Sequence, residues 1–471
     1  MHMKKRRIYS LALLAGDLVA LYAGLLATIL VKYPPAEFQW VWDIHLAPFS
    51  IVFSFWILIF FIAGLYEQEA WATNTLVRER LIKSMAASII VAALLFYLVP
   101  AFGITPKTNL LVQSFLSFAL IMGWRMLFSS VLRSASKTNV LFLGVSPEVI
   151  AFAEFLNQNP QLGYTASVLM HTDETALPAT TIEIAAPTSD LGPIIKHKKI
   201  TLVVASQDIK SRKEFVRMLY NLLPTGVTFA DFPTFYENLT GKIPTSLISE
   251  IWFLENLAGG KKRLYEISKR ASDIIIAIGF TCGIILILPF IAVGIILSTP
   301  REIIAYKKYR ARSGDGILFF RQQRVGRAGK TFYFAKFRSQ RLGAERMSEV
   351  KSAENDQRQY PFGRLLRACY LDELPQVWNV LKGEMSFVGP RPERPEYVAR
   401  LKEEIPFYEM RLLVPPGITG WAQVSMKNDA SVEDAPEKMQ YDLYYIKNRS
   451  FALDMTILLK TFFVMISRGG R

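Results

Sequence analysis

The sequence predicts a mixed membrane protein in three parts. These are a four-helix transmembrane bundle at residues 1–135, an α/β Rossmann-like domain at 136–256, and a mainly α monotopic domain at 257–471 with a re-entrant membrane helix at about 268–298. Three observations predict it. Four apolar runs crowd the N-terminal part, buried-type strands alternate with helical segments in the middle, and a later apolar run carries cations on both flanks. A chain of 471 residues is long enough for two or three domains.

The first part follows from run length and charge. Residues 8–31 are apolar, too long for a signal-peptide core, and lack a clear small-residue cleavage site. Residues 46–66, 84–101 and 110–127 repeat the pattern. Lys4, Lys5, Arg6 and Arg7 precede the first run, Arg78, Arg80 and Lys83 lie between the second and third, and Arg133 and Lys137 follow the fourth. Cytoplasmic loops carry the excess of Lys and Arg, so both ends of a four-span bundle are expected inside. Asp17 lies within the first run, where an acid reads as a helix–helix contact in preference to a catalytic group.

The middle part contains NVLFLGV, ITLVVAS and VTFADF as strands, with PEVIAFAEFL as a helix after the first. Strands alternating with helices predict a parallel sheet. The glycine fingerprint of a dinucleotide site is missing, because Gly144 is followed by Val145, Ser146 and Pro147. A regulatory or assembly domain, and a candidate homodimer contact, is the expectation.

Residues 274–297 are apolar and long enough to span a bilayer. Lys261, Lys262, Arg263, Lys269 and Arg270 precede them, and Arg301, Lys307, Lys308, Arg310 and Arg312 follow. Cations on both flanks contradict a simple crossing. Pro289 near the middle removes a backbone donor. The expectation is a helix–break–helix that enters and leaves on one face. Residues 451–466 include Asp454 and Lys460 and read as an interfacial amphipathic helix.

Charge and composition narrow the chemistry. Lys and Arg number 55 against 40 Asp and Glu, a net charge of +15. With such long apolar runs, this points to anionic lipid surfaces and phosphorylated substrates, and away from nucleic acid. The two cysteines, Cys282 and Cys369, lack metal-ligand spacing, and the last of four histidines is His197. The C-terminal half therefore holds neither a Ser-His-Asp site nor a His-ligated zinc, which favours carboxylate chemistry.

The densest cluster is YLDELPQVWNVLKGEMSFVGPRP at residues 370–392, with adjacent Asp372 and Glu373. Pro375 favours a helix starting there and discourages one at Leu374, so the acids fall at a break between two helices. A carboxylate at such a break is expected to stay ionised and to serve as nucleophile, and its neighbour to hold Mg²⁺. An Asp-Glu pair alone is also what a surface helix start carries. Arg364 and Arg367, three apart and expected as phosphate-binding groups, and the Gly-Pro-Arg-Pro turn at 389–392 strengthen the functional reading. Between residues 307 and 341 lie eleven cations and one acid, Asp315. Within that stretch, Gly326 and Gly329 punctuate a turn, and the alternation that follows reads as a strand presenting Lys336 and Arg338 to a diphosphate. Trp421 and Gln423 are either sugar or uridine contacts or parts of a tight turn.

The segments KRASDIIIA, RQQRVG, KFRS, LDELPQVWNVLKGEMSFVGPRP, PGITGWAQV and YDLYYIKNRS, between about residues 269 and 471, together resemble the bacterial sugar transferase family, the monotopic polyprenyl-phosphate phosphoglycosyl transferases. The preceding parts resemble its large exopolysaccharide-initiating members, so the resemblance covers nearly the whole chain. It implies transfer of a sugar 1-phosphate, glucose or galactose being expected, from a UDP-sugar to undecaprenyl phosphate on the cytoplasmic face of the bacterial inner membrane. It implies Asp372 as nucleophile, Glu373 as a Mg²⁺ ligand, Arg367 and Arg391 as phosphate-binding groups, and Pro289 as the helix-breaking proline. Gln340, Pro415 and Leu288 depart from common family residues and bear on substrate choice. The rival readings are a non-catalytic scaffold for polysaccharide assembly, and a nucleotide-sugar dehydratase or epimerase, which the missing glycine loop disfavours.

Overall fold

A computed structural model describes residues 2–66, 75–99, 102, 107–134, 137–171, 180–186, 191–206, 213–248, 250–257, 263–304, 316–342, 344, 358–426 and 434–467. The chain forms two compact units, Met1–Leu239 and Thr240–Arg471. The fold is mixed and mostly helical, with apolar helices near the N-terminus and one parallel sheet.

The first unit opens with α1 (His2–Lys32), α2 (Phe38–Ile62), α3 (Thr75–Leu98) and α4 (Lys107–Ser134). Each contains a stretch long and apolar enough to cross a membrane. Helix α1 packs on α4 and α2, α2 on α3, and α3 on α4. The closest approach is made by Gly16 and Gly24 of α1. A Cβ at Gly16 would fall 2.0 Å from the Trp124 ring, and one at Gly24 2.2 Å from Ser117 Oγ. Residues four apart share a helix face, and Ala20 and Thr28 continue this stripe, both buried. Small residues let two backbones close up where no hydrophobic effect drives association.

Asp17 lies beside this stripe and is fully buried. Its partner is the equally buried Arg125 on α4, 2.5 Å from Asp17 Oδ2. Arg125 Nη1 also donates to Leu65 O at 3.0 Å. The acid is thus a helix–helix contact, and Arg125, near the end of the fourth apolar run, is the partner the sequence reading missed.

The sheet in this unit is parallel throughout, in the order β3–β2–β1–β4–β5. Its strands are β1 (Thr138–Leu143), β2 (Tyr164–Met170), β3 (Glu183–Ala185), β4 (Ile200–Ala205) and β5 (Thr228–Asp231). β1 and β4 are the two central apolar runs, buried on both faces as parallel strands are. β2 and β3 escaped the sequence reading, because Thr165 and Ser167 interrupt the apolar run of one and the other is a three-residue edge strand. After β1, Ser146 caps α5 (Pro147–Gln158), accepting from Val149 N at 3.3 Å and donating to Glu148 at 2.8 Å. A dinucleotide fold seats a diphosphate at this turn. Here the chain's own carboxylate stands there, which repels an anion.

The second unit is built on one helix, Arg263–Ser298. The break expected at Pro289 is not there: residues 263–298 form a single helix through the proline. A proline can cost one backbone hydrogen bond and kink a helix without ending it. Ala277, Ile284, Ile291 and Ile295 form a buried stripe along one face. The opposite face is apolar yet open, with Leu286, Phe290 and Leu297 each more than 70 % exposed. The stripe packs on β7 (Thr331–Phe337), which pairs with β6 (Phe319–Val325) as an antiparallel hairpin, and on the short helices that follow. β8 (Ser386–Val388) and β9 (Gly417–Thr419) form a parallel pair. Ile243, Ile248, Trp252 and Phe253 pack within this unit against Val398, Tyr408 and Leu443.

The last helix, Phe451–Ser467, carries its polarity inside out. Asp454 is buried, held by Lys269 at 2.9 Å, Tyr265 at 2.7 Å and Tyr445 at 2.9 Å, while Phe451 and Phe462 are exposed. The acid therefore faces the protein and the phenylalanines face outward, as suits an interfacial helix lying against lipid.

The Asp17–Arg125 pair gives the first prediction. Removing one partner leaves a buried charge uncompensated, so Asp17→Leu or Arg125→Leu should each lower stability by about 3 kcal/mol, and the double variant should recover much of it. Thermal unfolding of detergent-purified protein measures this; single variants as stable as wild type contradict it.

Candidate active site

Two helices, Pro361–Ala368 and Gln376–Lys382, flank the acidic pair. Between them Leu371–Glu373 forms one 3₁₀ turn. Tyr370 enters that turn at φ 55°, a left-handed conformation unusual for a residue with a Cβ. Such a residue persists where surrounding packing over-determines it, and functional sites are where this recurs. The acids thus lie at the break between helices that Pro375 foretold.

β7 supplies the first cation. Phe332 and Phe334 are buried on one face of this strand, and Lys336, two residues on, continues that face inward. Its Nζ donates to Glu373 Oε1 at 2.6 Å and lies 5.3 Å from the Phe334 ring centre. Asn379 fixes the strand against the helix. Its amide donates to Tyr333 O at 2.8 Å, and its carbonyl oxygen accepts from Ala335 N at 3.3 Å. One side chain so satisfies an edge of β7 and sets the distance between Lys336 and the turn. Arg270, on the long helix, donates to Val380 O at 2.6 Å and Leu381 O at 2.8 Å, closing the far end of the same short helix.

Arg391 comes from the 389–392 turn and donates to the same Glu373 oxygen at 2.9 Å. Tight glycine packing holds that turn. Gly389 N donates to Thr419 O and Gly417 N to Pro390 O, both at 2.9 Å. A Cβ on Gly417 would fall 2.1 Å from Gly389 N, and one on Gly420 2.4 Å from Gly389 O. Arg411 supports the turn from behind, donating to Arg391 O at 3.0 Å and lying 2.9 Å from Asp442. Arg411 and Asp442 were missed. The available signal was an arginine leading directly into the apolar run Leu412–Val414, a charge that burial obliges to find a partner.

Arg367, in the last turn of helix Pro361–Ala368, is half-buried and acts electrostatically on Asp372. Two expected phosphate ligands fall elsewhere. Arg338 is 2 % exposed and faces inward, donating to Glu302 at 2.8 Å, Thr299 Oγ1 at 2.7 Å and Ile317 O at 2.8 Å. β7 ends at Phe337, so the strand alternation that would have aligned it with Lys336 has already stopped. Arg364 is exposed on its helix, and no contact joins it to the acids among the described residues. Trp421 serves structure: its Nε1 donates to Gly241 O at 3.0 Å and its ring stacks on Tyr444.

The two carboxylates differ in charge state. Asp372 is 6 % exposed, and no hydrogen bond reaches its carboxylate among the described residues. Burial pushes it up to about 6, against the pull of Lys336, with Glu373 adding to the rise and Arg367 and Arg391 opposing it. Burial also works against the Glu373 anion, but Arg391 and Lys336 outweigh it and hold that carboxyl well below the usual range. The expectation that an acid at this break stays firmly ionised thus holds for Glu373, while burial leaves Asp372 poised near neutrality. Environments that drive two acids apart assign them different roles. Glu373 is a fixed anion that organises cations, and Asp372 is a buried, unencumbered carboxylate surrounded by positive charge.

The donor set also bears on a metal. No cluster of three or more His, Cys, Asp or Glu that could hold an ion occurs among the described residues. Mg²⁺ does not require one, being commonly held by one or two carboxylates with waters and substrate phosphates. Asp372 and Glu373 fit that partial set, although Glu373 Oε1 is already shared by two cations.

The glycine packing gives a second prediction. Gly417→Ala should destabilise by about 1–3 kcal/mol through forced backbone displacement, and loosen Arg391 with it. Gly279→Ala, in open space on the long helix, should be neutral or stabilising by up to about 1 kcal/mol. Unfolding midpoints of the two variants make the comparison; equal effects refute it.

Comparison with known proteins places this geometry in context. Residues 264–468 match the family model described as bacterial sugar transferase. Among curated relatives, a UDP-N-acetylgalactosamine-undecaprenyl-phosphate N-acetylgalactosaminephosphotransferase of Aeromonas hydrophila is 36% identical over 50% of this chain and 51% of its own length. A UDP-glucose:undecaprenyl-phosphate glucose-1-phosphate transferase of Xanthomonas campestris pv. campestris is 29% identical over 68% of this chain. The chain spans 65% of that relative, so it covers less than two thirds of either. An uncharacterized sugar transferase of Bacillus subtilis is 42% identical over 32% of this chain and 72% of its own length. With the acidic turn, its cations and its glycine-held arginine inside the matched region, the chain belongs to the bacterial sugar transferase family.

Proposed function

We propose that this chain transfers a sugar 1-phosphate from a UDP-sugar to undecaprenyl phosphate, releasing UMP and initiating a surface glycan. The observation that carries the reading is the buried Asp372 carboxylate beside Glu373, with Lys336, Arg367 and Arg391 around it. A buried nucleophile ringed by three cations suits a diphosphate, whose negative charge replaces the neutralisation that Glu373 now supplies.

An oxygen of Asp372 attacks the phosphorus bonded to the sugar. The bond from that phosphorus to the bridging oxygen breaks, and UMP leaves with the bond's electrons. Undecaprenyl phosphate then attacks the same phosphorus, displacing Asp372 and giving undecaprenyl-diphosphate-sugar. Two easier displacements replace one difficult step. Lys336, Arg367 and Arg391 offset charge that develops on the phosphoryl oxygens. Glu373 and Asp372 would hold Mg²⁺, which supplies further neutralisation of the diphosphate. The relatives named above act on different sugars, glucose and N-acetylgalactosamine, so the hexose is left open by likeness alone.

Membrane placement supports this chemistry. In this reading α1 to α4 cross the bacterial inner membrane with both ends in the cytoplasm. Helix Arg263–Ser298, continuous through Pro289, lies with its open apolar face in lipid and carries the catalytic elements on its other side. Basic residues flank both of its ends in the sequence, where anionic headgroups would meet them. The reaction centre then lies at the interface, where the phosphate of undecaprenyl phosphate meets the cytoplasm.

UMP release from a panel of UDP-sugars, by detergent-purified protein with Mg²⁺ and undecaprenyl phosphate, tests the reading. One donor should support lipid-dependent release, and Asp372→Asn should lose it by more than roughly a thousandfold. Release with no donor, or near-normal turnover by folded Asp372→Asn, sinks it. The pH dependence has a definite sign. The nucleophile must be ionised, so the rate falls as pH drops through about 6. Stability runs the other way: with its folded value raised above 3.8, Asp372 contributes stability in acid that is lost as pH rises through about 6. Asp372→Asn should therefore raise the unfolding temperature at alkaline pH, by an amount that shrinks on acidification; an unchanged temperature throughout contradicts the buried-anion picture.

A further inference from the structure

An open cleft of about 260 Å³, its mouth included, lies beside the 389–392 turn. Val325 and Gly326 line it from the end of β6, Leu412 and Val414 from the segment after Arg411, and Arg391 and Glu393 from the turn and the residue that follows it. Pockets for whole drug-sized ligands run from about 300 Å³ upward and are mostly apolar with a few placed polar groups. This cleft has that character and suits a portion of such a molecule.

Glu393 is the polar group that the site chemistry leaves unused. Its Oε1 accepts from Lys438 Nζ at 2.9 Å, while its Oε2 stands 3.9 Å from Arg324 Nη1, too far for a hydrogen bond. Burial works against its charge, but Lys438, Arg411 and Arg324 outweigh burial and hold the carboxyl below its usual range. One oxygen thus serves the protein, and the other can accept from a ligand. A fixed anion takes hydroxyl protons and repels phosphate, so its partner is the uncharged part of a substrate.

The position of the cleft says which part. Arg391 lines it and also donates to Glu373 at 2.9 Å, so one arginine spans the interval from the acidic pair. Val325 pairs with Thr331, at the opposite end of the hairpin from Lys336. Between these ends, Arg324 pairs with Phe332 and so shares the face of Phe334 and Lys336. The Arg324 guanidinium lies 5.4 Å from the Phe334 ring centre, and its Nη1 donates to Pro392 O at 3.1 Å. In a UDP-sugar the sugar is bonded to the phosphate beside Asp372, whereas the uridine lies beyond a second phosphate. We propose that this cleft takes the nucleoside of the donor, with Glu393 Oε2 accepting from a ribose hydroxyl. Val325, Leu412 and Val414 give the uracil ring an apolar lining, and Arg391 marks the boundary between nucleoside and diphosphate. No covalent change is involved.

The inference rests on the proposed reaction for the identity of its ligand, and binding without turnover separates the two. UDP, 2′-deoxy-UDP and 3′-deoxy-UDP are titrated calorimetrically, with Mg²⁺ present, into detergent-purified wild type and Glu393→Gln. KM is measured beside them for a UDP-sugar that wild type turns over. Wild type should bind UDP about tenfold more tightly than one of the two analogues, as one hydrogen bond to a charged group provides. Glu393→Gln should lose about tenfold in UDP affinity, raise KM similarly with kcat little changed, and no longer distinguish UDP from that analogue. Equal losses for UDP and both analogues make Glu393 only a prop for Lys438 and overturn the proposal. A raised KM with unchanged UDP affinity puts the sugar in the cleft and overturns the nucleoside assignment. Should Glu393→Gln fold poorly, Leu412→Trp fills the cleft with the carboxylate intact. It should weaken UDP binding by about tenfold or more, and an unchanged affinity overturns the proposal. Wild type that binds UDP through the ribose hydroxyl yet releases UMP from no donor supports the cleft assignment and overturns the proposed reaction alone.

Discussion

One carboxylate oxygen of Glu373 accepts from both Lys336 and Arg391, and the organisation of the site follows from that shared contact. The three residues come from separate pieces of chain: a β-strand, a 3₁₀ turn between two short helices, and a proline-rich turn some residues later. A doubly bonded anion draws those pieces to one point. It also concentrates positive charge beside Asp372 without spending a bond on Asp372 itself. An anion buried with two donors is stabilised where a lone one would take up a proton. Two charges of one sign and three of the other therefore coexist there, with only Asp372 left close to its protonation point.

Each limb of this junction is held by packing that tolerates little displacement. Asn379 replaces a missing strand partner and locks β7 to its helix. Gly389, Gly417 and Gly420 approach more closely than any side chain would allow, so the arginine turn rests directly on backbone. Arg411 and Asp442 carry a buried charge pair beneath it. The long helix ties in through Arg270, and through Asp273, which accepts from Phe387 N at 3.2 Å. The helix that faces outward with its apolar side thus also anchors, on its inner side, the elements that carry the chemistry.

Much of this was legible in the sequence, for physical reasons that can be named. Apolar run length marked the N-terminal helices, and continuous apolar strands marked the centre of the parallel sheet. Pro375 and the adjacent acids located the break between helices, because proline acts locally on its own backbone and its neighbour's. Lys336 was legible through strand alternation. Arg338, two residues on, was misread, because alternation says nothing about where a strand stops. Pro289 was misread as a break, because a missing donor weakens a helix while flanking turns decide whether it ends. The Arg125 partner of Asp17 and the Arg411–Asp442 pair depend on contacts set by tertiary packing, which spacing along the chain does not encode.

Intact-protein mass spectrometry, after exposure to each UDP-sugar without polyprenyl phosphate, tests the central claim most directly, that Asp372 is a free carboxylate poised to attack phosphorus. The account predicts a mass gain equal to one sugar phosphate on wild type, located in the peptide containing Asp372 and absent from Asp372→Asn. UMP release with no covalent adduct at any time, or an adduct that survives the loss of the Asp372 carboxylate, would contradict it.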